Sequence, residues 1–95
     1  MQLRKYEFEE STEQVIKPYI TLENENKFLF CYSALSNYLP IGTYEVDNNY
    51  LILKPDDGLN NKYIFEITNE ILVFDAEKSS KIPSFADIPN GSVFK

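Results

Sequence analysis

Apolar residues return at every second position in six separate stretches of the chain, the pattern of strands with one face buried and the other in water. Tyr19 to Glu23 sets Ile20 and Leu22 on one face. Lys27 to Tyr32 sets Phe28, Phe30 and Tyr32 on one face, with Leu29 and Cys31 on the other. The acidic and amide run Glu23-Asn24-Glu25-Asn26 between them predicts a hairpin turn. Thr43 to Asp47 carries Tyr44 and Val46, and Tyr50 to Lys54 carries Leu51 and Leu53. Asn48-Asn49 joins these two, since Asn tolerates the positive φ of a tight hairpin. Pro55 to Asn61 forms a longer loop broken by Pro and Gly. Lys62 to Ile67 then presents Tyr63, Phe65 and Ile67, and Thr68-Asn69-Glu70 leads into Ile71 to Phe74. Connections this short force sequential antiparallel neighbours, because parallel pairing needs a crossover of about a dozen residues.

Two segments fall outside that regularity. Leu3 to Glu9 places Tyr6 and Phe8 on one face and is a candidate further strand. Ser11 to Lys17 has the S-x-x-Q spacing of a capping box, with Gln14 three residues after Ser11, so one helical turn is expected there, stopped by Pro18. Residues 76–95 hold Pro83, Pro89 and Gly91 among isolated apolar side chains and read as an ordered wrap rather than a strand series. The expectation is one all-β domain over residues 1–95: an N-terminal strand and turn (1–17), a meander core (18–75) and a C-terminal wrap (76–95). A sheet of six to seven antiparallel strands with an aromatic face and little helix must curl to cover that face, giving a small closed or half-open barrel, lipocalin-like in outline. Phe28, Phe30, Tyr44, Phe65 and Phe74 are bulky enough to fill such a barrel, which favours a packed interior over a cavity at its mouth.

Composition narrows the function more by exclusion than by assignment. At 95 residues there is room for one core, and 43 % hydrophobic and 15 % aromatic residues supply it. Nine Lys and Arg against fifteen Asp and Glu give a charge of −6, so no basic surface exists to release counterions from nucleic acid. Apolar runs such as Ile71 to Phe74 are far too short to span a bilayer, and no charged-then-apolar leader is seen. From these features a cytoplasmic protein or an excised piece of a longer one is expected, without insertion into a membrane by this chain. Histidine is absent and Cys31 is the sole cysteine, which removes the commonest general base, the commonest metal ligand and any intrachain disulfide. Neither a cofactor nor a metal site is expected.

From Cys31-Tyr32-Ser33-Ala34-Leu35-Ser36-Asn37-Tyr38-Leu39-Pro40-Ile41-Gly42-Thr43-Tyr44 onward the chain resembles a small β domain of Firmicutes, especially clostridia. The likeness continues through Tyr50 to Gly58, Tyr63 to Ile67, Leu72 to Pro83 and Ile88 to Phe94. It departs at Ala34, where the pattern more often has Pro, and does not extend to the residues through Lys17. Such domains occur at the extracytoplasmic C-terminus of membrane metallopeptidases of the antirepressor type, related to β-lactam sensing, and in stand-alone or lipoprotein-like chains. The resemblance implies a non-enzymatic module outside the cytoplasmic membrane. Peptidase chemistry would lie elsewhere, because H-E-x-x-H is absent.

Candidate sites follow from loops. Ser33 to Ile41 is the largest irregular insertion and reads either as a contact loop or as a plug for one barrel end through Leu35, Tyr38 and Leu39. With its flanks it supplies the candidate binding residues Tyr32, Ser33, Leu35, Ser36, Tyr38 and Leu39, joined by Lys78 and Lys81 of the Glu77-Lys78-Ser79-Ser80-Lys81 run, which could meet an anion or guard an exposed edge. Asp56-Asp57-Gly58 with Asn60-Asn61 lacks the closing carboxylate of a calcium loop and reads as a solvated turn. Ser92-Val93-Phe94-Lys95 matches S-x-x-K without the companion motifs or helix that give that spacing meaning. Cys31 reads as a small apolar residue rather than a redox sensor. The strand-associated acids Glu45, Glu66 and Asp75 occupy positions expected to face water, which weakens a carboxylate-pair glycosidase. The expected function is a non-enzymatic extracytoplasmic binding or sensor module for a protein or small-molecule ligand, as a monomer or weak dimer. The alternative is an acidic inhibitor or immunity-type protein steered to a basic partner.

Overall fold

The computed structural model describes residues 2–9, 17–33, 39–83, 86 and 88–95. Eight strands follow in chain order: β1 (Lys5–Glu7), β2 (Tyr19–Glu23), β3 (Lys27–Cys31), β4 (Ile41–Asp47), β5 (Tyr50–Pro55), β6 (Tyr63–Thr68), β7 (Ile71–Phe74) and β8 (Val93–Phe94). They form one sheet in the order β1 to β8, every neighbour antiparallel. The expected meander is present, with eight strands where six to seven were predicted. The N-terminal candidate is a strand, and the C-terminal wrap contains one as well. Val93–Phe94 is too short to show period-two alternation, and only its place between β7 and β1 makes it a strand.

That place nearly closes the barrel. Glu7 and Lys95 exchange N–H to carbonyl bonds of 3.0 and 2.9 Å, the Glu9 N–H donates to the Val93 carbonyl at 2.9 Å, and Phe8 bridges to Phe94. Closure removes the edges that an open sheet would leave for other chains to pair with. The turns behave as their residues dictate. Asn48 adopts φ 56°, and Asn69 and Glu70 adopt 50° and 65°, the left-handed values that let a two-residue hairpin match the twist of its strands. Asn24–Asn26 forms a 3-10 turn between β2 and β3, with Glu25 and Asn26 also left-handed. The helical turn expected at Ser11 to Lys17 lies outside the described residues except for Lys17.

Register puts one inner side chain beside the next around the wall: Tyr6, Ile20 and Phe30 in one row, and Leu51, Phe65 and Phe74 in another, while Val46, next to Leu51, is exposed. Their aromatic members fill the interior. Phe30 lies edge-on to Tyr32, Tyr63, Phe65 and Phe94, with centroids 5.4 to 6.3 Å away. Phe94 also stacks on Phe8 at 5.4 Å and meets Phe65 at 5.5 Å, so the last strand supplies the ring that links both edges of the sheet. Burying one such ring contributes about 1.5–3 kcal/mol. Phe28, Phe30, Phe65 and Phe74 are buried as expected, while Tyr44 is half-buried against the same cluster.

One strand boundary is made by side chains. β7 leaves β6 after Phe74, and its role along the first half of β6 passes to two serines. Ser79 Oγ accepts from the Ile64 N–H at 2.7 Å and donates its one proton to the Asp75 carbonyl at 2.7 Å, with the Ile64 carbonyl farther off at 3.3 Å, while Ser80 Oγ accepts from the Lys62 N–H and the Ser80 N–H donates to the Lys62 carbonyl. Thus the Glu77 to Lys81 run does cover an edge, through hydroxyls rather than charge. Among the described residues no helix is long and apolar enough to cross a membrane.

Candidate functional site

In an up-and-down meander alternate connections fall at the same end. The tight turns at Asn24–Asn26, Asn48-Asn49 and Asn69-Glu70 therefore share one end, and the long connections β1–β2, β3–β4, β5–β6 and β7–β8 share the other. The turn end is sealed by its own residues. Arg4 lies over the Tyr6 ring at 3.8 Å and reaches the Glu70 carbonyl at 3.5 Å, while the Tyr6 hydroxyl donates to the Gln2 carbonyl at 2.9 Å. The loop-rich end is where a rigid sheet holds irregular backbone, the usual setting for binding residues.

There β3 runs out at Cys31 into Tyr32 and Ser33, both buried, at 4 % and 5 % exposure. Leu39, just before β4, is 43 % exposed. Leu35, Ser36 and Tyr38 lie outside the described residues. Tyr63, the first residue of β6, points inward and packs edge-on to Phe30 at 5.4 Å. Its phenol is pushed above the ordinary 10.0 chiefly by burial, then by the neighbouring Tyr32 hydroxyl and the Asp57 carboxylate, so it stays a neutral donor. Asp57 lies in the β5–β6 loop and accepts the Leu59 N–H at 3.0 Å. Tyr32 and Tyr63 are both buried at this end, and both rings pack edge-on to Phe30. Tyr63 was not expected at this end. A tyrosine at the loop end of an inward-facing register was the available signal, since it brings a polar tip to the rim of an apolar core.

The two lysines go elsewhere. Lys78 lies on the outer wall with its ammonium 4.0 Å from the centre of the Tyr50 ring, and its pKa is raised first by the hydrogen bond to Tyr50. Lys81 is exposed, next to the serine that binds Lys62. Neither contact brings a lysine to Tyr32 or Ser33, and the surface near Lys78 is a carboxylate-rich cleft of about 250 Å³ lined by Glu66, Asp75 and Glu77.

The remaining motifs resolve into structure. Ser92 Oγ donates to the Pro89 carbonyl at 2.7 Å, while Lys95 pairs with Glu9 across the closing seam at 2.7 Å, so the S-x-x-K partners serve different bonds. Among the described residues no group of three or more His, Cys, Asp or Glu is placed to hold a metal ion. Cys31 is buried on the outer side of β3, and burial pushes its thiol above the ordinary 9.0 against the hydrogen bond from the Ser33 backbone and the charge of Lys5. A thiol held protonated is a poor nucleophile. Glu45 is exposed and paired with Lys54 at 2.9 Å, Glu66 is exposed, and Asp75 caps the Lys78 N–H at 3.1 Å.

The family model of the lipocalin-like domain matches residues 2–74, from the sealed turn end through β7. The chain belongs to the lipocalin-like domain family. Its lipocalin-like sheet is completed by β8, which lies beyond the matched stretch. No curated protein and no solved structure matches the chain. The lipocalin-like fold is characteristically a scaffold for binding small ligands or proteins, and its interior here is taken up by packed rings.

Proposed function

We propose that this lipocalin-like chain is a non-enzymatic recognition module that takes a protein or small-molecule ligand at its loop-rich end. The observation that carries the reading is the division of the barrel: packed rings occupy its body and Arg4 reaches across the turn end, whereas Tyr32, Ser33, Leu39 and Tyr63 all lie at the end where the loops emerge. A ligand then sits on the rim and not deep inside. The likeness of Cys31 to Phe94 to extracytoplasmic domains of regulatory membrane proteins and lipoproteins supports a sensor role outside the membrane. The acidic-inhibitor reading draws support from the charge of −6 and from the Glu66, Asp75 and Glu77 cleft, which suits a basic side chain.

Titrating the ¹⁵N-labelled chain with a fragment library and with cationic peptides separates the two. Saturable shifts gathered at Tyr32, Ser33, Leu39 and Asp57 support the loop-end site. Shifts confined to Glu66, Asp75 and Glu77 that vanish with added salt replace it with the acidic surface.

A further inference from the structure

A second cleft of about 250 Å³ has the opposite charge to the one at Glu66, Asp75 and Glu77. It opens beside the β5–β6 connection and is lined by Lys54, Pro55, Gly58, Asn60, Asn61 and Lys62. Asp56 and Asp57 belong to the same loop, yet neither lines it. Strand register explains why two lysines share the cleft. Leu53 pairs with Tyr63 and both face the core, so one step further sets Lys54 opposite Lys62 on the outer face. Like charges directly opposite one another destabilise a sheet, and this chain has fifteen acids with which to separate nine Lys and Arg. The Lys54 ammonium lies 2.9 Å from Glu45, whereas among the described residues Lys62 makes no ion pair. Lys62 is nevertheless held firmly, because Ser80 binds both its N–H and its carbonyl, at 2.9 and 2.8 Å. Gly58 leaves open space where a side chain would stand.

We propose that this cleft binds a phosphate group between the ammonium groups of Lys54 and Lys62, with the side-chain amides of Asn60 and Asn61 as further donors. Each ammonium has three N–H donors and each amide two, and the lining holds no carboxylate to repel an oxyanion. A phosphate monoester carries about −1.5 to −2 charge at pH 7, which two lysines match better than they match a carboxylate. An exposed ion pair such as Lys54–Glu45 is weak, so Lys54 turns from Glu45 to the more highly charged group. The cleft is smaller than the roughly 300–1,000 Å³ of a drug-sized pocket and suits one phosphate with a small substituent outside it. A nucleic-acid strand, with charges beyond the cleft, is repelled by a chain at −6. Tyr32, Ser33 and Leu39 do not line the cleft, so this is a second site, independent of the loop-end reading.

The ¹⁵N-labelled chain is titrated with inorganic phosphate, glycerol 3-phosphate and acetate at constant ionic strength, with sodium chloride as the blank. Saturable shifts of the Gly58, Asn60, Asn61 and Lys62 amides with either phosphate probe, weaker with acetate and absent with chloride, are the expected result. The tighter of the two phosphate probes tells free phosphate from a phosphorylated small molecule. Lys62→Gln is expected to weaken binding about 5-fold, the contribution of one ammonium–oxyanion contact in water. Glu45→Gln removes the competitor for Lys54 and is expected to tighten binding about 2-fold. Both side chains are exposed, and Ser80 bonds only to the main chain of Lys62, so neither substitution disturbs the fold. No saturable shift at residues 58–62, unchanged affinity in Lys62→Gln, an affinity not raised by Glu45→Gln, or acetate binding as tightly as phosphate overturns the assignment. Phosphate shifts gathered instead at Tyr32, Ser33 and Leu39 overturn it too and leave the loop-end reading in place.

Discussion

Gly42 shows how one position on a strand can be decided by the backbone opposite. It pairs with Pro55 on the inward face of β4, and a Cβ there would run into the Lys54 carbonyl oxygen and come within 2.9 Å of the Asp56 nitrogen and the Pro55 Cα. All three are main-chain atoms, so the two strands would have to separate. Gly42→Ala is expected to destabilise the fold by about 3 kcal/mol or more, as overpacking at a site without side-chain slack does, and a urea midpoint against wild type checks it. Glycine in a strand signals close approach in general, but its sequence neighbours do not say what approaches. Tyr63 poses the same problem. Its inward direction follows from alternation with Phe65 and Ile67, whereas the burial that raises its pKa depends on the rings packed around it in space.

Among elements, the six strands with regular alternation were legible because apolar and polar positions alternate along them, and their turns were legible because Asn at 48 and 69 is one of few residues that accept a left-handed φ. β8 was not legible, since two residues carry no period. Nor was the serine clamp on β6, which reads in sequence as a charged, solvated run. Ser79→Ala leaves the Ile64 N–H without its 2.7 Å partner in a partly buried place, which costs about 1–3 kcal/mol. The expected outcome is a lower urea midpoint together with faster amide hydrogen exchange at Ile64 than at Phe65, whose pairing within the ladder is untouched. Equal exchange at the two amides would mean that the hydroxyl is not the partner that protects the strand.

At the scale of the whole barrel, burial of titratable groups sets how stability responds to alkali. Tyr6 and Tyr63 hold their protons above the ordinary 10.0, in each case first because of burial, and Cys31 does so above 9.0 for the same reason. Above those values the unfolded chain has released protons that the native chain still binds, so stability is full below about pH 9 and falls as pH rises through the folded values. Urea midpoints from pH 7 to 11 should decline above pH 9, and the Tyr6→Phe/Tyr63→Phe double variant should decline less steeply. A parallel decline would place the alkaline sensitivity elsewhere. By itself the amino-acid sequence determined an all-β meander with a ring-filled interior, because alternation and turn residues act locally. Only the tertiary structure decided that Phe94 returns to close the sheet, that Lys78 lies on the Tyr50 ring, and that Tyr32 and Tyr63 both pack on Phe30. Such encounters join residues far apart in the chain, and they are chosen by which rings fit together inside one barrel, a choice no short window of sequence contains.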